Sequence, residues 1–439
     1  MRNAAQTDVV VVGGGLAGLT AATLAARQGR RVQLFEKAGE VGGRATTQLK
    51  DGFAFNIGPH ALYRGSAGMR ILRDLGIEPK GAPPAPSGGH AVRAGVKHAF
   101  PAGFLSLLST GLLSLAGKLE VARLLARIQS LDPAPLQSTT VERWLGSLTR
   151  RREVRELLAA LVRLTTYGNA PDQQSGGAAL EQVQRALADN VLYLDGGWQQ
   201  LVDALRDAAL AAGATIEASV RVDAVELTGA DQEVRAVRLA DGSTVSCGGV
   251  ILAVPPADAV TLLSGPAHDS VARWAAQAIP LYAACLDLAL DGLPEPRSTF
   301  ALGIDTPLYF SVHSAAARLA PGSGALLHVA KYLDPSQPID AARDQAELER
   351  LTDLVQPGWR TRVVHKRFLP RMAVTHGLVT AAQGGFSGRP GPQVEGARGL
   401  YVAGDWVGAA GMLADASLAS ARRATELYLR DVAPLAVAA

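Results

Sequence analysis

Asp8 is followed by four valines, Val9-Val10-Val11-Val12, that stop at Gly13-Gly14-Gly15. An apolar run without alternation predicts a strand covered on both faces, as in a parallel sheet. Small and apolar residues from Leu16 through Ala21, Ala22, Leu24 and Ala25 predict a helix that Gly29 can end with a left-handed cap. Arg31-Val32-Gln33-Leu34-Phe35 then predicts a second strand, ending on Glu36. The alternation of Gly52 to His60 stops at Gly58-Pro59 and predicts a short strand leading into a loop. From about Pro101 to Ala188 the pattern is helical, and Asp195-Gly196-Gly197-Trp198 opens an amphipathic helix over 199–212, with Leu201, Leu205, Ala208 and Ala209 on one side. The period changes to two after Thr215, predicting strands over 220–227, 234–239, 244–247 and 250–254, closed by Pro255-Pro256. A mixed region spans about 281–371, and Gly399 to Asp405 reads as a strand before a last helix over 414–429.

This order places nucleotide-binding elements at the start, middle and end of an α/β chain, with other material inserted twice. The expected divisions are 1–80, 191–262 and 393–439 for one discontinuous domain, with a helical insertion at 81–190 and a mixed α/β insertion at 263–392. The glycines carry the first chemistry. Gly13 allows a tight turn, Gly15 lets a pyrophosphate approach the backbone, and Gly18 lets the helix pack on the strand. Leu16 and Ala17 supply amides at a helix N-terminus, where the dipole favours anions. Glu36, about 20 residues further on, suits a ribose hydroxyl, and an acid there argues against a 2′-phosphate. A secretory reading of Arg2 with the apolar 9–26 fails on the three consecutive glycines.

Composition changes this picture little. The 439 residues are 48% hydrophobic and 19% charged, ordinary for a folded protein, and 43 basic against 40 acidic residues give no reason to expect nucleic acid. The run Arg150-Arg151-Arg152 is interleaved with Glu153 and Glu156 and reads as a solvated helix face. Two cysteines, Cys247 and Cys285, exclude a disulfide framework or thiolate metal site and are compatible with a cytoplasmic protein; the eight histidines lack metal-ligand spacing.

With Gly42-Gly43-Arg44, Asp195 to Trp198, the strand block ending at Pro256 and Gly404-Asp405 in order, the chain resembles the FAD-dependent amine oxidase and phytoene desaturase superfamily. The resemblance implies a Rossmann-like, discontinuous FAD-binding domain with an inserted α+β substrate domain. It implies non-covalent FAD, since no cysteine follows Cys285. By position, Gly13, Gly15 and Gly18 frame the pyrophosphate, Glu36 takes the adenosine ribose, Val222 lends backbone to the adenine, and Arg44 lies along phosphate and flavin. Asp405 after Gly404 meets the ribityl and pyrophosphate end, Met412 and Leu413 approach the flavin pyrimidine, and Lys37, Gly42, Gly43, Gly58 and Pro59 complete the cofactor contacts.

Many amine oxidases of this superfamily place a lysine shortly after the strand block. Ile279 to Leu288 contains none, and the Phe55–His60 and Asp405-Trp406-Val407-Gly408 stretches look more like the desaturase side. The expected reaction is hydride removal from a C–H of a lipophilic, isoprenoid-like molecule. An amine or amino-acid oxidase, a flavin-dependent isomerase and a non-redox prenyl-binding protein remain as alternatives. His60 is the one catalytic candidate, with Tyr63, Arg64, His328, Lys331 and Tyr332 behind it. The uncharged stretch 99–117 predicts a helix lining the substrate pocket or touching a membrane peripherally. The oligomeric state is open.

Overall fold

The computed structural model describes residues 7–85 and 88–431. Its central sheet is fully parallel, ordered Thr215–Glu217, Val32–Phe35, Val9–Val12, Val250–Leu252 and Leu400–Val402. Thus strands from three distant parts of the chain lie side by side. The four valines show why their run lacks alternation. Val9 and Val11 pack with Leu19, Leu205 and Leu418 from the helices Leu16–Arg27, Gln199–Ala211 and Leu413–Asp431. Val10 and Val12 pack with Val225, Val237 and Leu239 from the antiparallel sheet Val222–Thr228, Glu233–Leu239 and Thr244–Ser246 on the other face. Both faces are covered, so every position is apolar.

The second unit is built on a seven-stranded sheet ordered Val363–Thr375, Leu281–Leu290, Ala325–Tyr332, Leu308–Val312, Phe300–Gly303, Gly89–Arg93 and Val96–Ala99. Two of these strands correct the expectation that 81–190 is helical. Gly89–Arg93 and Val96–Ala99 form a hairpin turning at Ala94 and Gly95, both at positive φ, and Gly89–Arg93 pairs in parallel with Phe300–Gly303. His90, Lys97 and His98 break the apolar pattern there, and the pairing that stabilises the hairpin comes from a strand 200 residues downstream. The proline- and glycine-rich loop 81–89 contains a two-residue strand, Gly81–Ala82, paired with Leu194 and Tyr193; Pro86 and Ser87 lie outside the described residues.

The stretch 99–117 is not one helix. A six-residue helix, Phe104–Ser109, stops at Thr110, whose hydroxyl donates to the Ala99 carbonyl at 2.7 Å. A new helix, Leu115–Ile128, starts at Ser114, whose hydroxyl accepts the Gly117 amide at 3.1 Å. Side-chain competition for backbone groups divides the segment. Among the described residues no helix is long and apolar enough to cross a membrane.

Candidate active site

A cavity of about 490 Å³ opens where the parallel sheet's carboxyl edge meets the seven-stranded sheet. Ligands in open α/β folds bind at this edge. Gly13, at φ +102°, makes the turn and donates its amide to the Phe35 carbonyl at 2.8 Å. A Cβ on Gly18 would lie 1.8 Å from the Gly13 carbonyl oxygen, so this glycine is a packing requirement and does not line the cavity. Gly15 differs, because a Cβ there meets nothing within 4 Å and would enter open space. Helix Leu16–Arg27 beyond it has no capping side chain and no acid in its first turn. Its free amides and positive dipole end therefore face the cavity without an anion of the protein's own, the arrangement a pyrophosphate fits.

Glu36 is held at the next strand end, where it accepts the Gly14 amide at 2.6 Å and the Ala38 amide at 2.8 Å. With two oxygens fixed this way, it keeps lone pairs for ribose hydroxyls. Lys37 pairs with Asp258 at 2.7 Å on the same side, and Val222 lines the wall. Gly42 donates its amide to the Gly14 carbonyl at 2.7 Å, which lays the Gly42-Gly43-Arg44 loop against the phosphate turn.

Arg44 and Asp405, 361 residues apart in the chain, meet in an ion pair at 2.7 Å. The Arg44 guanidinium also donates to the Val374 carbonyl at 2.7 Å, and Asp405 accepts the His376 amide at 3.2 Å. Burial pushes the Asp405 carboxyl up, but Arg44 and His376 outweigh it and hold the group below its ordinary range. Its Oδ1 is buried without a hydrogen-bond partner. An orphaned carboxylate oxygen in a cavity calls for a donor from outside the chain, and a ribityl hydroxyl would be one.

Pro59, His60, Gly43, Gly404, Met412 and Leu413 line the cavity, as do Leu16 and Ala17. Gly58 stands behind the wall, where a Cβ would sit 2.3 Å from Met372 Sδ. Trp198 and His60 meet edge to face at 4.9 Å, and His60 Nδ1 lies 3.1 Å from the Gly58 carbonyl oxygen. Burial pushes the His60 imidazole down to about 4, so it is neutral at neutral pH. Tyr63 lines the cavity but donates its hydroxyl to the Thr165 carbonyl, and Arg64 is exposed. Lys331 lies outside, pairing with Asp344 and Glu347 at 2.7 Å each. His328 is buried against Asp287 at 2.6 Å, and Tyr332 packs edge to face on Tyr167; none of the three lines the cavity.

The sequence reading missed Tyr167, Met372, His376 and Asp415. Tyr167 sits at a left-handed helix end, φ +58°, a conformation with no signature in an unremarkable Thr-Thr-Tyr-Gly stretch. Asp415, in the first turn of the last helix, looks like an ordinary dipole acid. It is only 2% exposed, neither carboxylate oxygen has a partner at bonding geometry, and burial pushes it up to about 6 against Ser66 and Arg185. A carboxyl raised in the folded state stabilises fully below its unfolded value and loses that contribution as pH rises through about 6. Asp415→Asn is therefore expected to stabilise the holoenzyme by about 2 kcal/mol at pH ~8 and hardly at all at pH ~4. Equal shifts in thermal midpoint at both pH values would refute this.

The glycine turn, the carboxylate at the second strand's end and the Arg44–Asp405 pair form a site of the kind that holds a dinucleotide. The chain belongs to the flavin containing amine oxidoreductase family, whose profile matches residues 16–427, and it is an FAD-dependent enzyme. It is 26% identical over 434 residues to the coproporphyrinogen III oxidase of Propionibacterium freudenreichii, covering 81% of this chain and 78% of that protein. It is 29% identical over 279 residues to Mycobacterium tuberculosis AofH, named for a flavin-containing monoamine oxidase; the match spans 59% of each chain. A 51-residue segment is 49% identical to the 4,4'-diapophytoene desaturase of Staphylococcus aureus, 12% of this chain and 10% of that protein. The fold is shared with an oxidoreductase from Methanosarcina mazei, with TM-score 0.76, 19% identity and coverage of 96% and 100%. Putrescine oxidase bound to putrescine also shares it, with TM-score 0.72, 18% identity and coverage of 97% and 99%.

Proposed function

We propose that this enzyme oxidises a C–H bond of an uncharged, lipophilic small molecule. One observation carries the reading: among the described residues the inserted region brings no charged side chain into the cavity. Glu36, Lys37, Arg44, Arg221, Asp258, Asp405 and Asp415 all come from the dinucleotide-binding parts of the chain. The inserted region contributes Tyr167, Met372, Ala373, Val374 and His376, and burial pushes the His376 imidazole below its ordinary value. Such a wall desolvates an apolar reactant without cost and offers an ammonium no carboxylate from its own side of the cavity.

Bound FAD supplies an acceptor for the hydride. The chain's part is to hold the cofactor, orient the reactant and exclude water. Tyr167, Met372 and Tyr63 provide the apolar contact, and His60 at the cavity wall stays uncharged beside the reactant because burial disfavours its protonation. Its position at Gly58-Pro59 fixes that ring independently of the reactant.

The decisive measurement is anaerobic titration of the holoenzyme, followed by flavin absorbance at about 450 nm. Isoprenoid hydrocarbons in detergent are expected to bleach the band, and primary amines are expected to leave it intact. Bleaching by amines alone would establish the amine-oxidase reading favoured by the AofH likeness. No bleaching by either class, with product isomers accumulating at constant absorbance, would establish a redox-neutral isomerase.

A further inference from the structure

We propose that the face formed by residues 104–119 and the outward side of the helix Leu115–Ile128 docks on the surface of an anionic phospholipid bilayer. Among the described residues eleven large hydrophobic side chains are exposed, and five of them fall within this short stretch: Phe104, Leu105, Leu108, Leu115 and Leu119. Phe104, Leu105 and Leu115 are 74%, 79% and 74% exposed, far more than a groove-lining side chain would be. They belong to one face. Lys118 Nζ donates to the Leu108 carbonyl at 2.6 Å, tying the short helix Phe104–Ser109 to the longer one.

The longer helix has two apolar stripes. Gly117, Val121 and Ile128 are buried, whereas Leu115, Leu119, Ala122 and Ala126 recur at helical spacing on the side left to solvent. Lys118, Arg123 and Arg127 flank that outer stripe. An outward apolar stripe edged with basic residues is how a helix lies in a lipid interface.

Charge selects the occupant. Between 94 and 131 the only acid is Glu120, and it pairs with Arg151 at 3.0 Å. Lys97, Lys118, Arg123 and Arg127 have no carboxylate within ion-pair distance among the described residues, so the face carries net positive charge around its apolar centre. A second copy applied to this face would set these four cations against their counterparts, with the single carboxylate of Glu153, held at Ser114, too little to neutralise them. Lipid phosphates neutralise them.

The patch also connects inward. Phe100 packs edge to face on Phe300 at 5.4 Å, Phe300 on Tyr309 at 5.9 Å, Tyr309 lies 6.5 Å from Tyr332, and Tyr332 packs on Tyr167 at 5.8 Å. Tyr167 lines the cavity. Tyr309 and Tyr332 in this file are fully packed, so it braces the cavity wall against the docking face and is not a passage for the reactant.

The test is co-sedimentation of the holoenzyme with phosphatidylcholine vesicles, with and without phosphatidylglycerol, at low and high salt. Binding is expected only with phosphatidylglycerol and is expected to weaken as salt rises. The variant Phe104→Ser/Leu105→Ser/Leu115→Ser is expected to keep its flavin and melting temperature and to bind roughly tenfold or more weakly. Holoenzyme remaining in the supernatant with phosphatidylglycerol vesicles would overturn the proposal. So would a dimer in light scattering that the triple variant converts to monomer, because a second copy would then cover the face. Flavin bleaching is read on detergent-dispersed substrate without vesicles, so docking and substrate class fail separately.

Discussion

Gly18→Ala is expected to give no soluble yellow protein, whereas Gly15→Ala is expected to give soluble protein that is colourless. The two glycines are three residues apart, and their surroundings separate folding from cofactor binding. At Gly18 the added Cβ would stand 1.8 Å from the Gly13 carbonyl oxygen, a backbone atom that cannot withdraw without moving the turn. Helix Leu16–Arg27 would have to leave the strand Val9–Val12, and with it the core around Leu19 and Ala22. Overpacking against backbone here costs more than about 3 kcal/mol, a large share of a domain's stability. At Gly15 the backbone is extended, φ −74° and ψ −177°, which alanine adopts freely, and the Cβ meets no protein atom. It takes up only the space of the pyrophosphate. FAD affinity is expected to fall by roughly a hundredfold or more, at least about 2.7 kcal/mol. Flavin-to-protein absorbance ratios and thermal melts of both variants decide the matter. A yellow, stable Gly18→Ala enzyme would contradict the helix–strand contact, and stoichiometric FAD in Gly15→Ala would move the phosphates elsewhere.

Arg44→Ala is expected to cost stability and flavin together. Removing the guanidinium strips Asp405 of its main counter-charge while leaving the carboxylate 1% exposed and its Oδ1 orphaned. Arg44 itself is 37% exposed, so the loss is set below that of a fully buried pair, at about 2–3 kcal/mol. The Asp405 carboxyl lies below its ordinary 3.8 in the folded protein, so its contribution is present at neutral pH and lost as pH falls through the folded value. Without Arg44 that value rises, and acid unfolding is expected to start at higher pH. The double variant with Asp405→Asn should recover part of the stability, because the unpaired charge is gone, but not the flavin. Denaturant melts of the unaltered enzyme, Arg44→Ala, Asp405→Asn and the double variant at neutral and acid pH give the cycle; recovery of flavin in the double variant would show that neither side chain holds it.

The parts of the site that were legible in the sequence are local. Val9 to Glu36 encodes strand, turn, helix and ribose acid within one supersecondary unit, so periodicity and glycine spacing suffice. The Arg44–Asp405 contact was not legible, because each side chain has a sensible separate role and only the fold brings them together. Asp415 was hidden by resembling a dipole acid, although its burial makes it the reverse of a solvated one. The hairpin Gly89–Ala99 escaped because its strands are short and half exposed, and their register is set by Phe300–Gly303. The stretch 99–117 was read from hydropathy as a unit, and the hydroxyls of Thr110 and Ser114, which divide it, do not register on a hydropathy scale.

The place of Leu400–Val402 at the sheet's end has a consequence for the order of events during synthesis. When a ribosome has made the first 390 residues, the phosphate turn, the ribose acid and the entire inserted unit are already outside or emerging, yet Asp405 and the helix Leu413–Asp431 do not exist. Leu19 and Val11 wait for Leu418, and Arg44 has no counter-charge. Cofactor capture is therefore expected to wait for residues 400–431. A polypeptide ending at residue 399 is expected to remain colourless, and flavin colour then reports that synthesis has passed Asp405 and the helix Leu413–Asp431.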